Sequence, residues 1–282
     1  MSKLRMKELS AWNPDEHLSS TVRSMPPSGI RKFFDLVSGM EGAISLGVGE
    51  PDFVTPWHIR ESCIYSLESG YTSYTSNKGM PELRELISDQ VSDEQGLYYD
   101  PESQVLITTG VSEAVDLAFR ATLNRGDEVI IPEPCYVAYV PDVVLAGGTP
   151  VAVDTKLTDS FKLRPEDIQP ALTEKSKALM LSYPNNPTGA IMTRQDLEDI
   201  ADLVVENDLL VISDEVYGHL TYGAMHFSFS QLEGMQERTL VLNGLSKSHA
   251  MTGWRIGYAL GDPQVVGAMT KIHQYTMLCA PI

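Results

Sequence analysis

The residues best able to do chemistry cluster at the ends of β-rich runs. Lys247 stands between two serines in "LNGLSKSHAMTGWRIGYALG" (Leu242 to Gly261), in an apolar, strand-like setting. A desolvated lysine is less often protonated and so more nucleophilic. Asp214 and Tyr217 share "SDEVY", and Asn185 and Asn186 share "YPNNPTGA". Arg255 lies in "WRIG"; its guanidinium fork suits phosphate oxygens taken two at a time. "GVSEA" (Gly110 to Ala114) opens a helix, where free N–H groups suit an anion. Each residue also has a plain reading. A lone lysine usually sits on a solvated face, paired asparagines before proline are turn residues, and Asp214 with Glu215 could be an ordinary strand-end pair. Tyr74, Tyr136 and Tyr217 could be core or interface aromatics, and Arg255 a surface ion pair. His249, beside the lysine, reads as a supporting or surface residue, and Met251 and Trp254 as packing. The plain readings would all have to hold at once.

The elements that position these residues follow from periodicity. Seven β-branched runs read as strands: "QVLITTG", "DEVIIPEP", "TPVAVD", "KALMLSYP", "LLVISDEVY", "RTLVLNGLS" and "WRIGYALG". Between them lie helical patterns. "SEAVDLAFRATLNRG" is expected to close at Gly126, and "YVAYVPDVVLAGG" to be helical despite Pro141. "TRQDLEDIADLVVEND" opens with a capping-box pattern, Thr193 and Asp196, and "PQVVGAMTKIHQYTMLC" has proline at its start. This alternation predicts βαβ units: a three-layer α/β/α fold with a mostly parallel seven-stranded sheet. Such sheets bind ligands beyond the carboxyl ends of their strands, where the residues above fall. Residues 1–45 lack the alternation; "PPSGIRKFFDLVSG" reads as a turn and a short amphipathic helix, Ile30 to Val37. The expected division is an N-terminal arm, 1–45, forming part of a small domain, and a large domain, 46–282.

Composition narrows the function classes. The chain has 282 residues, 43% of them hydrophobic, enough for a large core. A net charge of −17 without a long basic patch argues against nucleic-acid binding. Cys63, Cys135 and Cys279 are odd in number and widely spaced, with no C-x-x-C pair, which argues against a disulfide framework or a zinc site. No signal-peptide pattern follows the N-terminus, and no apolar run approaches the roughly 18–20 residues of a membrane span. The expectation is a cytoplasmic globular protein.

An amine, a carboxylate, a phenol and an anion site on one edge fit pyridoxal 5'-phosphate. Its aldehyde forms a Schiff base with lysine, its ring nitrogen pairs with a buried aspartate, and the protonated ring acts as an electron sink. The strings "SLGVGEPDF", "YTSYTSNKGMPELRE", "YPNNPTGA", "SDEVY" and "SKSHAMTGWRIG" follow one another. In that order they resemble a fold type I, class I/II pyridoxal-phosphate-dependent aminotransferase, aspartate aminotransferase-like, over nearly the whole chain.

The resemblance implies a role for each residue. Lys247 carries the Schiff base and shuttles the α-proton, Asp214 pairs with the ring nitrogen, and Tyr217 donates to the phenolic oxygen. Asn186 shares that oxygen and touches the substrate carboxylate, which the Gly49 backbone approaches. Tyr136 stacks on the ring. Val111 and Ser112 offer backbone N–H groups to the phosphate, and Arg255 clamps it. Tyr74 reaches the phosphate of a neighbouring subunit, implying a homodimer with shared sites. Many relatives carry a phosphate-binding serine where this chain has Gly244; either Ser246 replaces it or the phosphate has one ligand fewer. The reaction implied is amino transfer from an amino acid to a 2-oxo acid. The alternative on the same scaffold is a carbon–sulfur lyase or related amino-acid lyase or synthase. A non-catalytic ligand-sensing domain would call for a DNA-binding module and basic charge. The resemblance also implies a C-terminal small domain beyond "KIHQYTMLCAPI", bearing the arginine that grips the substrate carboxylate. The expectation is therefore a fragment with at most residual activity.

Overall fold

A computed structural model describes residues 13–27, 40, 42 and 49–281. The chain divides into two compact units, Met1–Gly47 and Val48–Ile282. In the first, a 3₁₀ turn at Pro14–His17 is capped by Asn13, whose Oδ1 accepts from the Asp15 N–H at 3.2 Å, and helix α1 covers Ser20–Ser24. The helix expected over Ile30 to Val37 lies outside the described residues.

The second unit holds a seven-stranded sheet. Two helices come first, α2 (Trp57–Glu68) and α3 (Pro81–Gln95). Then β1 (Val105–Thr109), α4 (Gly110–Thr122), β2 (Glu128–Glu133), α5 (Tyr139–Leu145), β3 (Thr149–Asp154), α6 (Pro165–Ile168) and β4 (Ser176–Ser182) follow. The chain continues through α7 (Arg194–Glu206), β5 (Leu210–Asp214), β6 (Thr239–Gly244), α8 (Leu245–Ser248), β7 (Ile256–Leu260) and α9 (Pro263–Thr276). Strand order is β1-β7-β6-β5-β4-β2-β3. All neighbours are parallel except β7, which runs antiparallel to both β1 and β6. The sheet is the expected three-layer, mostly parallel arrangement.

The strands are apolar on both faces, as a sheet covered by helices on both sides requires. Their side chains alternate between two cores. Leu106, Ile131, Met180, Ile212, Leu242 and Ala259 meet one layer, with Val115 and Phe119 of α4 and Met269 of α9. Their neighbours Ile130, Leu179, Leu181 and Val211 face the other layer, with Leu197, Ile200 and Val204 of α7. Val105, Ile107, Val241 and Leu260 pack on that second face against Ile87 and Val91 of α3. Each such fully buried aliphatic or phenyl side chain contributes about 1.5–3 kcal/mol.

Local signals set several boundaries. The Thr193–Asp196 capping box forms in full: Thr193 Oγ1 accepts from the Asp196 N–H at 3.2 Å, and Asp196 Oδ2 accepts from the Thr193 N–H at 2.8 Å. Pro263 begins α9, with Asp262 as its cap. The expected closure of α4 at Gly126 is corrected: the helix ends at Thr122, and Gly126, at φ +91°, belongs to the tight turn before β2. In that turn Asp127 accepts from the Asn124 N–H, drawing the chain out of the helix early.

Candidate active site

The carboxyl ends of β4, β5 and β6 lie side by side, with Ser182 opposite Asp214 and Asp214 opposite Leu242. Because β7 is antiparallel, its first residue joins the same edge: Thr109 pairs with Ile256, and Gly244 with Gly257. Arg255 therefore reaches this edge by preceding its strand rather than following it.

Asp214 closes β5 and is only 7% exposed. Its Oδ2 accepts the Tyr139 hydroxyl at 2.7 Å and its Oδ1 accepts the Val216 N–H at 3.1 Å. Burial pushes its carboxyl up to about 6, with the Glu215 charge adding to the rise and these hydrogen bonds opposing it. The sequence places Tyr139 in a helix and gives it no role at the site. Its ring meets that of Tyr136, which precedes the helix, edge to face at 5.5 Å. Tyr217 follows Val216 in the turn that leaves β5 and is half-buried; burial raises its phenol, and Asp214 and Tyr136 raise it further.

Lys247 follows its strand, as the sequence places it. It sits on α8, the single helical turn that follows β6. It is half-buried; Nζ donates to the Gly49 carbonyl at 2.8 Å and stands 5.7 Å from the centre of the Tyr217 ring. Desolvation lowers the pKa of its ammonium; Glu50 opposes the shift and Arg255 adds to it. His249 is engaged with Ser248 across 2.7 Å.

Arg255 adopts a left-handed backbone, φ +59°, and its Nη1 donates to the Thr252 carbonyl at 2.9 Å. Its guanidinium lies against the start of α4: a Cβ on Gly110 would come within 2.3 Å of Nη2. A Cβ on Gly257 would stand 2.5 Å from the Val111 nitrogen, and one on Gly244 2.8 Å from the Ile256 carbonyl. The backbone packing of β6 on β7 thus leaves no room for a side chain at Gly244 in this chain. Ser246 is buried on α8. The opening turn of α4 contains Val111 and Ser112, while Glu113 accepts from the Thr109 N–H at 2.5 Å and pairs with His273 at 2.7 Å.

The two asparagines divide their labour. Asn185 is buried and builds the turn, donating to the Pro134 carbonyl and accepting from Thr188. Asn186 is half-buried in the turn that follows β4, and its side chain makes no hydrogen bond among the described residues. Tyr74 is 82% exposed, and the structure does not bring it into the hydrogen bonding of the other candidates.

The family model for aminotransferase class I and II matches residues 41–281. The chain belongs to this family. YugH of Bacillus subtilis (strain 168), a putative aminotransferase by name, is 52% identical over 265 residues, which are 94% of this chain and 69% of that protein. Aromatic-amino-acid aminotransferase 2 of Thermococcus litoralis is 44% identical over 263 residues, 93% of this chain and 68% of the relative. Among solved structures, Thermus thermophilus aspartate aminotransferase with maleate superposes with a TM-score of 0.88 at 40% identity, over 93% of this chain and 69% of that one. The aminotransferase is thus a transferase that moves an amino group from an amino acid to a 2-oxo acid. The carbon–sulfur lyase alternative gains no support from these relatives. Among the described residues, no helix of this aminotransferase is long and apolar enough to cross a membrane.

Proposed function

We propose that this aminotransferase works with pyridoxal 5'-phosphate held at the sheet edge, and that Lys247 is its covalent anchor and proton shuttle. The donor set fits that cofactor. Arg255 and the α4 N-terminus, both electropositive, face one another, and among the described residues Arg255 has no carboxylate partner. Glycine is required on both sides of this cradle, where β7 and Arg255 pack closely against the first turn of α4; a helix start of this kind suits a phosphate. Asp214 is a buried carboxylate poised to accept from a protonated ring nitrogen.

On this reading the phosphate is held by Val111, Ser112, Ser246 and Arg255, and the ring by Tyr136 on one face. Tyr217 and Asn186 hydrogen-bond the phenolic oxygen. When bound, the cofactor supplies an aldehyde for the amine and an electron sink for the charge left on the substrate α-carbon. The protein's part is to hold and move protons. Asp214 keeps the ring nitrogen protonated, and Lys247, released from the Gly49 carbonyl, takes the α-proton and returns it. Gly49 and Asn186 receive the substrate carboxylate. Tyr74, exposed on one chain, would complete the phosphate site of a second copy, making the enzyme a homodimer; a cytoplasmic setting belongs to the same proposal.

The observation that carries the reading is the Lys247 amine, lowered by burial and directed toward Tyr217 and Gly49. Reduction of the pyridoxal-phosphate-loaded protein with borohydride is expected to fix the cofactor on the peptide containing Lys247. Label on a different lysine would overturn the assignment.

A further inference from the structure

Behind the Asp214–Tyr217 turn lies a buried acid–base cluster that the amino-transfer chemistry leaves without a task. Glu215 is 1% exposed. Its Oε1 accepts from Ser228 Oγ at 2.6 Å and Ser213 Oγ at 3.0 Å, and its Oε2 meets His226 Nε2 at 2.8 Å. The backbone around it is pinned as well: the Glu215 N–H donates to the Leu242 carbonyl of β6, and the Gly218 N–H donates back to the Glu215 carbonyl, each at 2.8 Å. His226 also packs against the far end of this turn, where a Cβ on Gly218 would lie 3.0 Å from its ring. One imidazole thus touches both ends of the segment that presents Asp214 and Tyr217.

We infer that His226 is a positioning residue: as a cation paired with Glu215, it locks the turn from Asp214 to Gly218 and offsets the Glu215 charge that would otherwise act on Asp214. The inference rests on the pyridoxal-phosphate reading for its catalytic meaning, but the pairing itself does not. A carboxylate this buried needs a charged partner, and removing one member of such a pair leaves the other uncompensated. Burial alone would lower the imidazole, but the charge of Glu215 and the hydrogen bond to it carry it above the ordinary histidine value. Its side chain keeps 17% exposure, a path by which protons exchange with solvent. The other titratable groups facing Glu215 are Asp214 at the end of β5, Tyr99 ahead of β1 and Tyr258 on β7. Burial holds both phenols protonated, Tyr99 pushed up to about 12, and Glu94 of α3 adds to the rise of Tyr258. Arg194 of α7 lies over the neighbouring Phe227 ring at 5.5 Å.

Two readouts test this. The first needs no cofactor: unfolding temperature from pH 5.5 to 9 for the natural chain and H226Q. A raised histidine contributes stability that is complete below its unfolded pKa and is lost as pH rises through its folded one. The natural chain is therefore expected to exceed H226Q most at low pH, with the gap closing toward pH 9; a gap independent of pH would overturn the charged pairing. The second is the pH dependence of pyridoxal-phosphate affinity, followed by absorbance. The acid limb is expected to move up by about half a pH unit or more in H226Q and down in E215Q, because one variant exposes Asp214 to an unbalanced anion and the other removes it. Shifts in the same direction, or none, would overturn the inference. Should H226Q fail to fold, the E215Q and H226Q double variant, with neither charge left over, is expected to fold; its failure would count equally against the pairing. If the natural chain does not bind the cofactor at all, the functional reading fails while the first readout still decides the role of His226.

Discussion

The two residues at the centre of the proposed chemistry are held in opposite ways. Asp214 ends a parallel strand in the middle of the sheet, is buried, and is fixed through both oxygens by Tyr139 and the Val216 N–H. Lys247 rides on a single helical turn, is half-buried, and is held through Nζ by one hydrogen bond to a carbonyl. The difference matches the tasks proposed for them. A group that sets the charge of a ring must not move, because its value depends on preorganisation. A group that carries a proton from one atom to another must be able to swing, and a single hydrogen bond, worth about 0.5–1.5 kcal/mol net, is readily released.

Three substitutions press on this contrast, in falling order of effect. Lys247→Ala removes the mobile partner and is expected to lower turnover by on the order of 10⁴-fold, while the unfolding temperature hardly changes. Equal loss of stability and activity would show that Lys247 is structural rather than mobile. Asp214→Asn keeps the shape of the fixed partner and removes its charge. Turnover is expected to fall about 10²–10³-fold. The sign for stability is opposite. The raised carboxyl makes the folded chain bind its proton more tightly, so stability is present at low pH and lost as pH climbs from the ordinary aspartate range through about 6. The cofactor-free Asp214→Asn chain should therefore be the more stable of the two above pH 6, by about 1–3 kcal/mol, in denaturant melts. Tyr139→Phe is the mildest. It deletes the hydroxyl that donates to Asp214, and the expected loss is about tenfold in turnover at neutral pH, with the acid limb of the rate profile moving up. An unchanged profile would mean that the Val216 N–H alone fixes the carboxylate.

Much of this site is legible in the chain because parallel strands bring their following residues to one edge. Asp214 ends β5, Asn186 follows β4 and Lys247 follows β6, so the strand ends alone indicate where they gather. Arg255 breaks the rule, since an antiparallel strand presents the residue before it; strand direction is set by pairing and is invisible to local periodicity. The helical turn that carries Lys247 is less legible. Its apolar flanks fit a strand, but β6 ends at Gly244 and the chain forms α8 and then a 3₁₀ turn at Thr252–Trp254 before β7 begins. Tyr139 and His226 stay hidden because their partners, Asp214 and Glu215, lie in other elements, and no spacing along the chain announces a contact through the core. The capping box at Thr193 spans only four residues, and its pattern is sufficient to locate the start of α7.

The antiparallel strand also governs the order of events during synthesis. β1 and β7 stand at opposite ends of the stretch of chain that contains the sheet, yet they are neighbours in it. A growing chain emerges with β1 and α4 early, and β1 then waits with an open edge until β7 has left the ribosome. Pairings this distant in sequence form slowly and expose edges to wrong partners meanwhile. The proposed phosphate cradle joins Gly110 beside β1 to Gly257 within β7, so on that reading a cofactor site would come into being only when β7 closes the sheet. Capture of pyridoxal phosphate would thus report completed assembly, and a nascent chain stalled before residue 256 would hold every strand but one and still have nowhere to seat it.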